Sequence, residues 1–335
     1  QESRGLGDVY KRQALYLSFF PQIMEGPISR FSETAEALWS GKRIEFENIK
    51  FGYQRIVYGL LKKIVIADRV APVVIKVFKH YDTYDGSIVL FGAVCFTIQL
   101  YMEFSGCMDI IMGSGQIFGV TLPENFRQPF FAKDASDFWH RWHISLSTWF
   151  KEYVYIPLGG NRKGLPRQLF NILVVWMLTG IWHGAGWNFL FWGLWFAFFL
   201  ILEKLFLGDI LESVPKVFGR IYTLAVVLIS WVFFALESPG EILAYLQAMF
   251  GMNGIGPVNS LAMFLCNEYL VLLVIALVAC LPLGSRLVHA LKSSKTGPAM
   301  ALYRLGEKVI PAVLLLLSVA YIVDASYNPF LYFRF

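Results

Sequence analysis

The chain reads as an all-α protein that crosses a membrane several times, and three observations carry that reading. Of its 335 residues, 56% are hydrophobic and only 16% are charged, a balance that soluble globules do not have. Mean hydropathy is +0.54. The apolar residues are gathered into long runs, and the longest, Leu169–Leu202, contains no Lys, Arg, Asp or Glu, as expected of a segment embedded in hydrocarbon.

Taken in order, the apolar runs are Leu15–Ile28, Ser87–Met102, Leu169–Leu202, Val217–Leu236, Leu261–Leu283 and Val309–Val323. The first is short for a span. Two further stretches, Tyr53–Phe78 (with Lys62, Lys63, Asp68 and Arg69) and Asp137–Lys151, are amphipathic at the helical period, which predicts helices with one polar face. No internal repeat or low-complexity linker interrupts them, so residues 14–335 are expected to form a single membrane domain. Residues 1–13 (QESRGLGDVYKRQ) are polar, lack an initiator Met and have no signal-peptide pattern. They read as a non-native leader before a chain whose own N-terminal spans are missing.

The net charge of +5 comes from Lys and Arg in the connections and forms no basic stripe, so a nucleic-acid partner is not expected. Those connections predict a topology. Lys151–Arg167 holds Lys151, Arg162, Lys163 and Arg167 against Glu152, and Gly284–Lys308 holds five basic residues against Glu307. Both are expected on the cytoplasmic side. Glu237–Ser260 has no Lys or Arg and is expected outside. Leu169–Leu202 then begins and ends at the cytoplasm. Its length of about 34 residues is too great for one span and short for two. A broken or re-entrant hairpin bent at Gly180–Gly186 reconciles these constraints, because irregular backbone survives at depth only where protein or a cavity surrounds it.

The four cysteines, Cys95, Cys107, Cys266 and Cys280, lie in or beside apolar runs and form no CxxC pair, so neither disulfides nor a metal site is expected. The conspicuous polar group is His183, inside Leu178-Thr-Gly-Ile-Trp-His-Gly-Ala-Gly-Trp187. A titratable side chain at membrane depth is costly and usually marks a function. The small residues around it, Gly180, Gly184, Ala185 and Gly186, are expected to leave room for a molecule to approach.

A second pair of histidines lies on Asp137–Lys151. At about 100° per residue, Phe138, Trp139, Trp142, Leu146, Trp149 and Phe150 share one face, and aromatic residues with cationic neighbours suit a helix at headgroup level. His143 falls at the edge of that face and is expected to point toward protein. His140 is expected to point toward water. Taken alone, His143 reads equally well as an interfacial histidine bonded to a backbone carbonyl.

Three motifs, Phe138-Trp-His-Arg-Trp-His-Ile-Ser-Leu-Ser-Thr-Trp149, Tyr153-Val-Tyr-Ile-Pro-Leu-Gly-Gly-Asn-Arg162 and Thr179-Gly-Ile-Trp-His-Gly-Ala185, together resemble the membrane-bound O-acyltransferase (MBOAT) family. The resemblance is to its bacterial branch of alginate O-acetylation and D-alanyl transfer proteins. Phe19-Phe-Pro-Gln-Ile-Met-Glu-Gly-Pro-Ile28, Glu103-Phe-Ser-Gly106, Leu122-Pro-Glu-Asn-Phe126 and Asn328-Pro-Phe-Leu-Tyr-Phe-Arg-Phe335 extend it from Leu15 to Phe335. Departures are mild. His140 stands where Arg is common, Lys151-Glu152 where Arg-Asp is common, Glu103 for a frequent Asp, and Cys107-Met108 for a Tyr-Ser-like pair.

The resemblance implies that His183 and His143 are the catalytic histidines, in a helical bundle around a tunnel through a thinned membrane. It implies no bound cofactor, with acetyl-CoA or another acyl thioester as co-substrate from the cytoplasm. The acceptor would be a cell-envelope polysaccharide, reached in some cases through an extracytoplasmic acyltransferase partner, and the location a bacterial cell membrane in contact with lipid.

Moving an acyl group from a thioester to a hydroxyl requires a base for the hydroxyl proton, and imidazole, with an unperturbed pKa near 6.5, is the usual one. No Gly-x-Ser-x-Gly elbow is present and the thioester is already activated, so a direct transfer assisted by His183 is expected. Charge on the carbonyl oxygen needs donors. By nearness in sequence these are the Trp182 and Trp187 indoles, Asn188 and the Gly184–Gly186 amides; Asn125 is a further candidate for substrate contact. Arg162, Lys163 and Arg167 could draw coenzyme A phosphates, although positive-inside topology explains them equally well. Two other classes fit an intramembrane histidine: a transporter or flippase with His183 as proton relay, and a non-catalytic subunit of a polysaccharide-export assembly. The first is disfavoured by the missing inverted repeat and the absence of a carboxylate within Leu169–Leu202.

Overall fold

The computed structural model describes residues 2–23, 25–41, 43–258, 260–281, 283–294 and 297–324. Among them the chain is helical. It begins with α1 (Glu2–Leu17), α2 (Phe20–Ile23), α3 (Phe31–Trp39), α4 (Phe46–Leu60), α5 (Asp68–Lys79) and α6 (Gly86–Ile117). The middle holds α7 (Ala135–Trp139), α8 (Ile144–Phe150), α9 (Leu165–His183), α10 (Trp187–Leu202), α11 (Gly208–Ser213) and α12 (Lys216–Ala235). The last are α13 (Pro239–Met249), α14 (Ser260–Glu268), α15 (Leu270–Cys280), α16 (Leu283–Ser293) and α17 (Gly297–Asp324). Three π-helical turns, Leu61–Ala67, Lys151–Tyr155 and Glu203–Leu207, join α4 to α5, extend α8, and join α10 to α11. The motif Asn328–Phe335 lies outside the described residues.

Among the described residues four helices are long and apolar enough to cross a membrane: Gly86–Ile117, Trp187–Ser213, Lys216–Ala235 and Gly297–Val323. A fifth span arises if Leu261–Glu268 and Leu270–Cys280, bent by 64° against each other, count as one. The chain is therefore an all-α multi-pass membrane protein. Large apolar side chains stand exposed along these helices, among them Phe198, Ile221, Leu316 and Val323, which suits surfaces whose solvent is lipid.

Several expected elements change shape. Leu15–Ile28 is not one helix: α1 ends at Leu17 and Pro21 lies in the first turn of the short α2, because a proline ring clashes with the carbonyl four residues earlier in a continuing helix. Ser87–Met102 is only the first half of α6, whose start is capped by the Asp85 carboxylate accepting from the amides of Ser87 (3.0 Å) and Ile88 (3.4 Å). Leu261–Leu283 is broken at Tyr269. The basic stretch Gly284–Lys308 is largely helix rather than loop. Within Glu237–Ser260 the sequence Ser-Pro-Gly-Glu nucleates α13: Ser238 Oγ accepts from the Glu241 amide at 3.1 Å, and the Glu241 carboxylate accepts from the Ser238 amide. That reciprocal pair is a capping box.

The chain divides into two compact units. In the first (described residues within 2–66, 101–125 and 283–324), α4 packs on the second half of α6 through paired glycines. A Cβ on Gly59 would lie 2.5 Å from the Gly106 carbonyl oxygen, and one on Gly52 would lie 2.5 Å from that of Gly113. Only hydrogen fits at such crossings, which is how membrane helices pack closely. The same face carries ion pairs. Lys63 donates to Glu103 at 2.9 Å with both side chains buried, Lys62 meets Asp109 at 2.6 Å, and Arg55 bridges Asp109 and Glu124. The charges that make Tyr53–Phe78 amphipathic thus include three that pair with α6.

The second unit (described residues within 67–100 and 126–281) is built on α9, α10 and α12. Its core is aromatic: Phe138, Trp139, Trp142, Trp192, Phe196, Trp231 and Phe234 are all buried. A neighbouring cluster gathers Val89, Ala93, Val232, Ala248 and Met249 around Tyr245, whose hydroxyl donates to the Val89 carbonyl at 2.9 Å and whose ring stacks on Phe78 at 4.5 Å.

Candidate functional site

The run Leu169–Leu202 forms a helical hairpin. Pro166, in the first turn of α9, suits a position where no amide donor is needed. α9 ends on His183 itself, and Gly184–Gly186 make the turn into α10. The bend is therefore narrower than Gly180–Gly186, with Gly180 inside α9. The small residues also prove to have a packing purpose, contrary to the expected room for an approaching molecule. A Cβ on Gly180 would stand 2.5 Å from the Phe189 carbonyl oxygen, and one on Gly184 would stand 2.5 Å from the Phe189 ring. What approaches is the returning helix.

This close packing surrounds His183 with aromatic rings. Its imidazole lies 4.9 Å from Trp192 and 5.3 Å from Phe234 between ring centroids, both edge-to-face, and 6.4 Å from Phe189 in a stacked arrangement. Trp182 stands edge-on to it at 4.9 Å. Trp192 and Phe234 gave no local signal in the sequence, since they lie 9 and 51 residues beyond His183. The indole N–H groups of Trp139, Trp192 and Trp231 are buried and donate to no acceptor among the described residues.

His143 arrives from a different element. The stretch expected as one helix, Asp137–Lys151, is broken into α7 and α8 by a turn at His140–His143. His143 adopts left-handed backbone torsions (φ 45°, ψ 52°), which are unfavourable for a side chain with a Cβ. Its surroundings impose them. Phe126 and Trp142 form an antiparallel bridge, Arg127 donates its amide to the Arg141 carbonyl at 2.9 Å, and the Trp142 ring is packed by Phe138, Phe126 and Trp231. The break turns His143 fully inward, where a continuous helix would have left it at the edge of a face. His140 stays exposed, as expected, with Nδ1 2.6 Å from the Ser136 carbonyl oxygen.

The two histidines meet through Trp182, whose ring lies 6.1 Å from His143. Burial, and then the nearby His183 imidazole, push the His143 pKa down to about 3. Among the other expected contacts, Asn188 is buried with its Oδ1 packed against Gly186, and Gly184 forms the turn. Trp182 is 44% and Trp187 67% exposed, so of the two indoles only Trp182 touches the imidazoles. Asn125 belongs to the first unit, where its side-chain amide donates to Met108 Sδ at 3.2 Å. Among the described residues no group of three or more His, Cys, Asp or Glu is placed to hold a metal ion.

A cavity of about 290 Å³ opens between α8 and α9, lined by Trp139, His140, Ser147, Lys151, Trp176 and Thr179 among others, with neither His143 nor His183 in its lining. The basic connection below it is shaped by Gly159, Gly160 and Gly164 at positive φ. It is tied down by Asn171 donating to the Gly160 carbonyl (2.9 Å) and Arg167 to that of Leu158 (3.0 Å).

One residue of the site gives no signal within the apolar run, since it lies just past its end. Glu203, in the π-helical turn after α10, accepts hydrogen bonds from the backbone amides of Ala135 (2.7 Å) and Ser136 (3.1 Å) and from the Tyr222 hydroxyl (3.0 Å).

Residues 10–239 match the family model described as MBOAT, membrane-bound O-acyltransferase family. The chain is 30% identical to a probable alginate O-acetylase of Azotobacter vinelandii, over 96% of this chain and 69% of that protein. It is 36% identical to a peptidoglycan O-acetyltransferase of Helicobacter pylori, over 72% of this chain and 47% of that protein. With a teichoic acid D-alanyltransferase of Bacillus subtilis it shares 28% identity, over 58% of this chain and 52% of the other.

Proposed function

Because the chain belongs to the membrane-bound O-acyltransferase family, we propose that it transfers an acyl group, acetyl in the first instance, to a hydroxyl of a cell-envelope polysaccharide outside a bacterial cytoplasmic membrane. The donor in this reading is acetyl-CoA or a carrier-bound thioester supplied from the cytoplasm. The acceptor is reached directly or through an extracytoplasmic acyltransferase partner. The observation that carries it is the convergence of His183 and His143 on Trp182 at a hairpin turn.

In this mechanism a neutral His183 accepts the hydroxyl proton as the acceptor oxygen bonds to the thioester carbonyl carbon. The tetrahedral species collapses by breaking the C–S bond, and the departing thiolate takes up the proton, so that thioester and alcohol become ester and thiol. The aromatic walls exclude water, which would otherwise hydrolyse the donor. His143 orients the acceptor or donor beside the base. The names of the relatives support acetyl or D-alanyl as the acyl group and an envelope polymer as acceptor.

The test is acyl transfer from labelled acetyl-CoA by the full-length protein in proteoliposomes, with His183→Ala alongside. Loss of at least about 100-fold in kcat is expected for removal of a general base. Retained transfer by the mutant would end the role given to His183. Mass spectrometry of envelope polymers from a strain lacking the protein would identify the acceptor.

A further inference from the structure

We propose that Glu203 is a positioning residue for the histidine pair, acting through α7 to hold His143 beside His183; this rests on the acyl-transfer reading of that pair. α7 needs hydrogen-bond acceptors for the free amides of its first turn. Asp134 satisfies the Asp137 amide locally, at 2.6 Å. The Ala135 and Ser136 amides are taken instead by the two oxygens of a carboxylate 68 and 67 residues away in sequence. That bond pair is a tertiary tie between α7 and the end of α10. Carboxylate-to-amide bonds are among the stronger ones and are favoured at a helix start. The Tyr222 hydroxyl, from α12, donates to the same carboxylate, so three elements meet on one side chain.

From that tie, α7 and the turn after it run antiparallel to α10. Trp139 packs on Phe196 at 4.8 Å and on Trp192 at 5.6 Å. Trp142 then meets Trp231 at 5.0 Å, and His143 arrives at Trp182. Glu203 holds one end of this series and the imidazoles lie at the other. The aromatic contacts set which faces of α7 and α10 meet, and two directed hydrogen bonds to consecutive amides fix where along α10 the start of α7 sits. α7 has only five residues, too few to hold a register by itself.

Glu203→Gln is the discriminating variant, because an amide can accept from one of the two backbone donors but presents its own N–H to the other. Glu203→Asp keeps both acceptors on a shorter arm, and Tyr222→Phe removes only the third bond. The full-length protein in nanodiscs is assayed for transfer from labelled acetyl-CoA. In parallel, deuterium exchange at the imidazole C2 carbon of His143 is followed by peptide mass spectrometry. For Glu203→Gln the expected result is kcat at least about tenfold lower, as misplacement near the chemistry produces. KM should stay within about threefold and His143 exchange should become faster. Glu203→Asp should recover part of both.

Unchanged kcat together with unchanged His143 exchange would overturn the proposal. So would equal losses in the Gln and Asp variants. If Glu203→Gln fails to fold, Tyr222→Phe and Glu203→Asp decide by the same two readouts. If the wild type shows no transfer, the acyl-transfer reading falls, and if His183→Ala retains transfer, the base role of His183 falls; in either case unchanged His143 exchange in Glu203→Gln still overturns the positioning role.

Discussion

The hairpin that carries His183 is most directly probed by Gly180→Ala, a change of one methyl group. That methyl carbon would stand 2.5 Å from the Phe189 carbonyl oxygen, 3.2 Å from its carbonyl carbon and 3.3 Å from Leu190 Cα. All three are backbone atoms of α10, so no side chain can rotate away. Ordinary carbon–oxygen contact needs a separation larger by most of an ångström, and α10 must therefore slide or tilt. Overpacking of this kind costs about 1–3 kcal/mol. The displaced helix carries Phe189 and Trp192, two of the rings against His183, and an error of about 1 Å near reacting groups can cost about 100-fold in rate. The expected outcome is a lower melting temperature in detergent together with a kcat reduced by more than the stability loss alone explains. Gly240→Ala is the control, since a Cβ there meets nothing within 4 Å. Wild-type kcat and melting temperature in Gly180→Ala would refute the reasoning that helix-to-helix contact at this glycine sets the site.

Two further outcomes follow from buried polar groups. Because the folded pKa of His143 is depressed to about 3 from about 6.5 in the unfolded chain, the unfolded state binds more protons between those values. Stability should fall as pH drops below about 6.5, by about 2 kcal/mol at pH 5; thermal melts against pH should show this slope in the wild type and lose it in His143→Gln. In the first unit, Lys63→Met alone or Glu103→Met alone should destabilise by about 3–5 kcal/mol by leaving one buried charge, whereas the double apolar replacement Lys63→Met with Glu103→Met should recover most of that loss. Denaturant or thermal unfolding of the four proteins measures the coupling, and additive single losses would argue against a direct pair.

The identity of the two histidines was legible because each sits in a distinctive local run. His183 stands out against residues without charge, and His143 lies in a tryptophan-rich motif. The shape of their surroundings was less legible. Helical periodicity over Asp137–Lys151 is real, yet it conceals the break at His140–His143, since the left-handed torsions of His143 are imposed by Phe126, Phe138 and Trp231. The glycines suggest space for a ligand because a sequence does not say which helix will return against them.

What the sequence determined by itself was composition-driven: helices in a membrane, a hairpin at Leu169–Leu202 and the family motifs, because hydropathy and period are local properties of the chain. Only the tertiary structure decided that Phe189 fills the space beside Gly180, that Trp192 and Phe234 wall His183, and that Glu203 holds the start of α7. Those contacts join residues far apart in the chain, and close packing between helices selects them, whereas the period of any single helix does not.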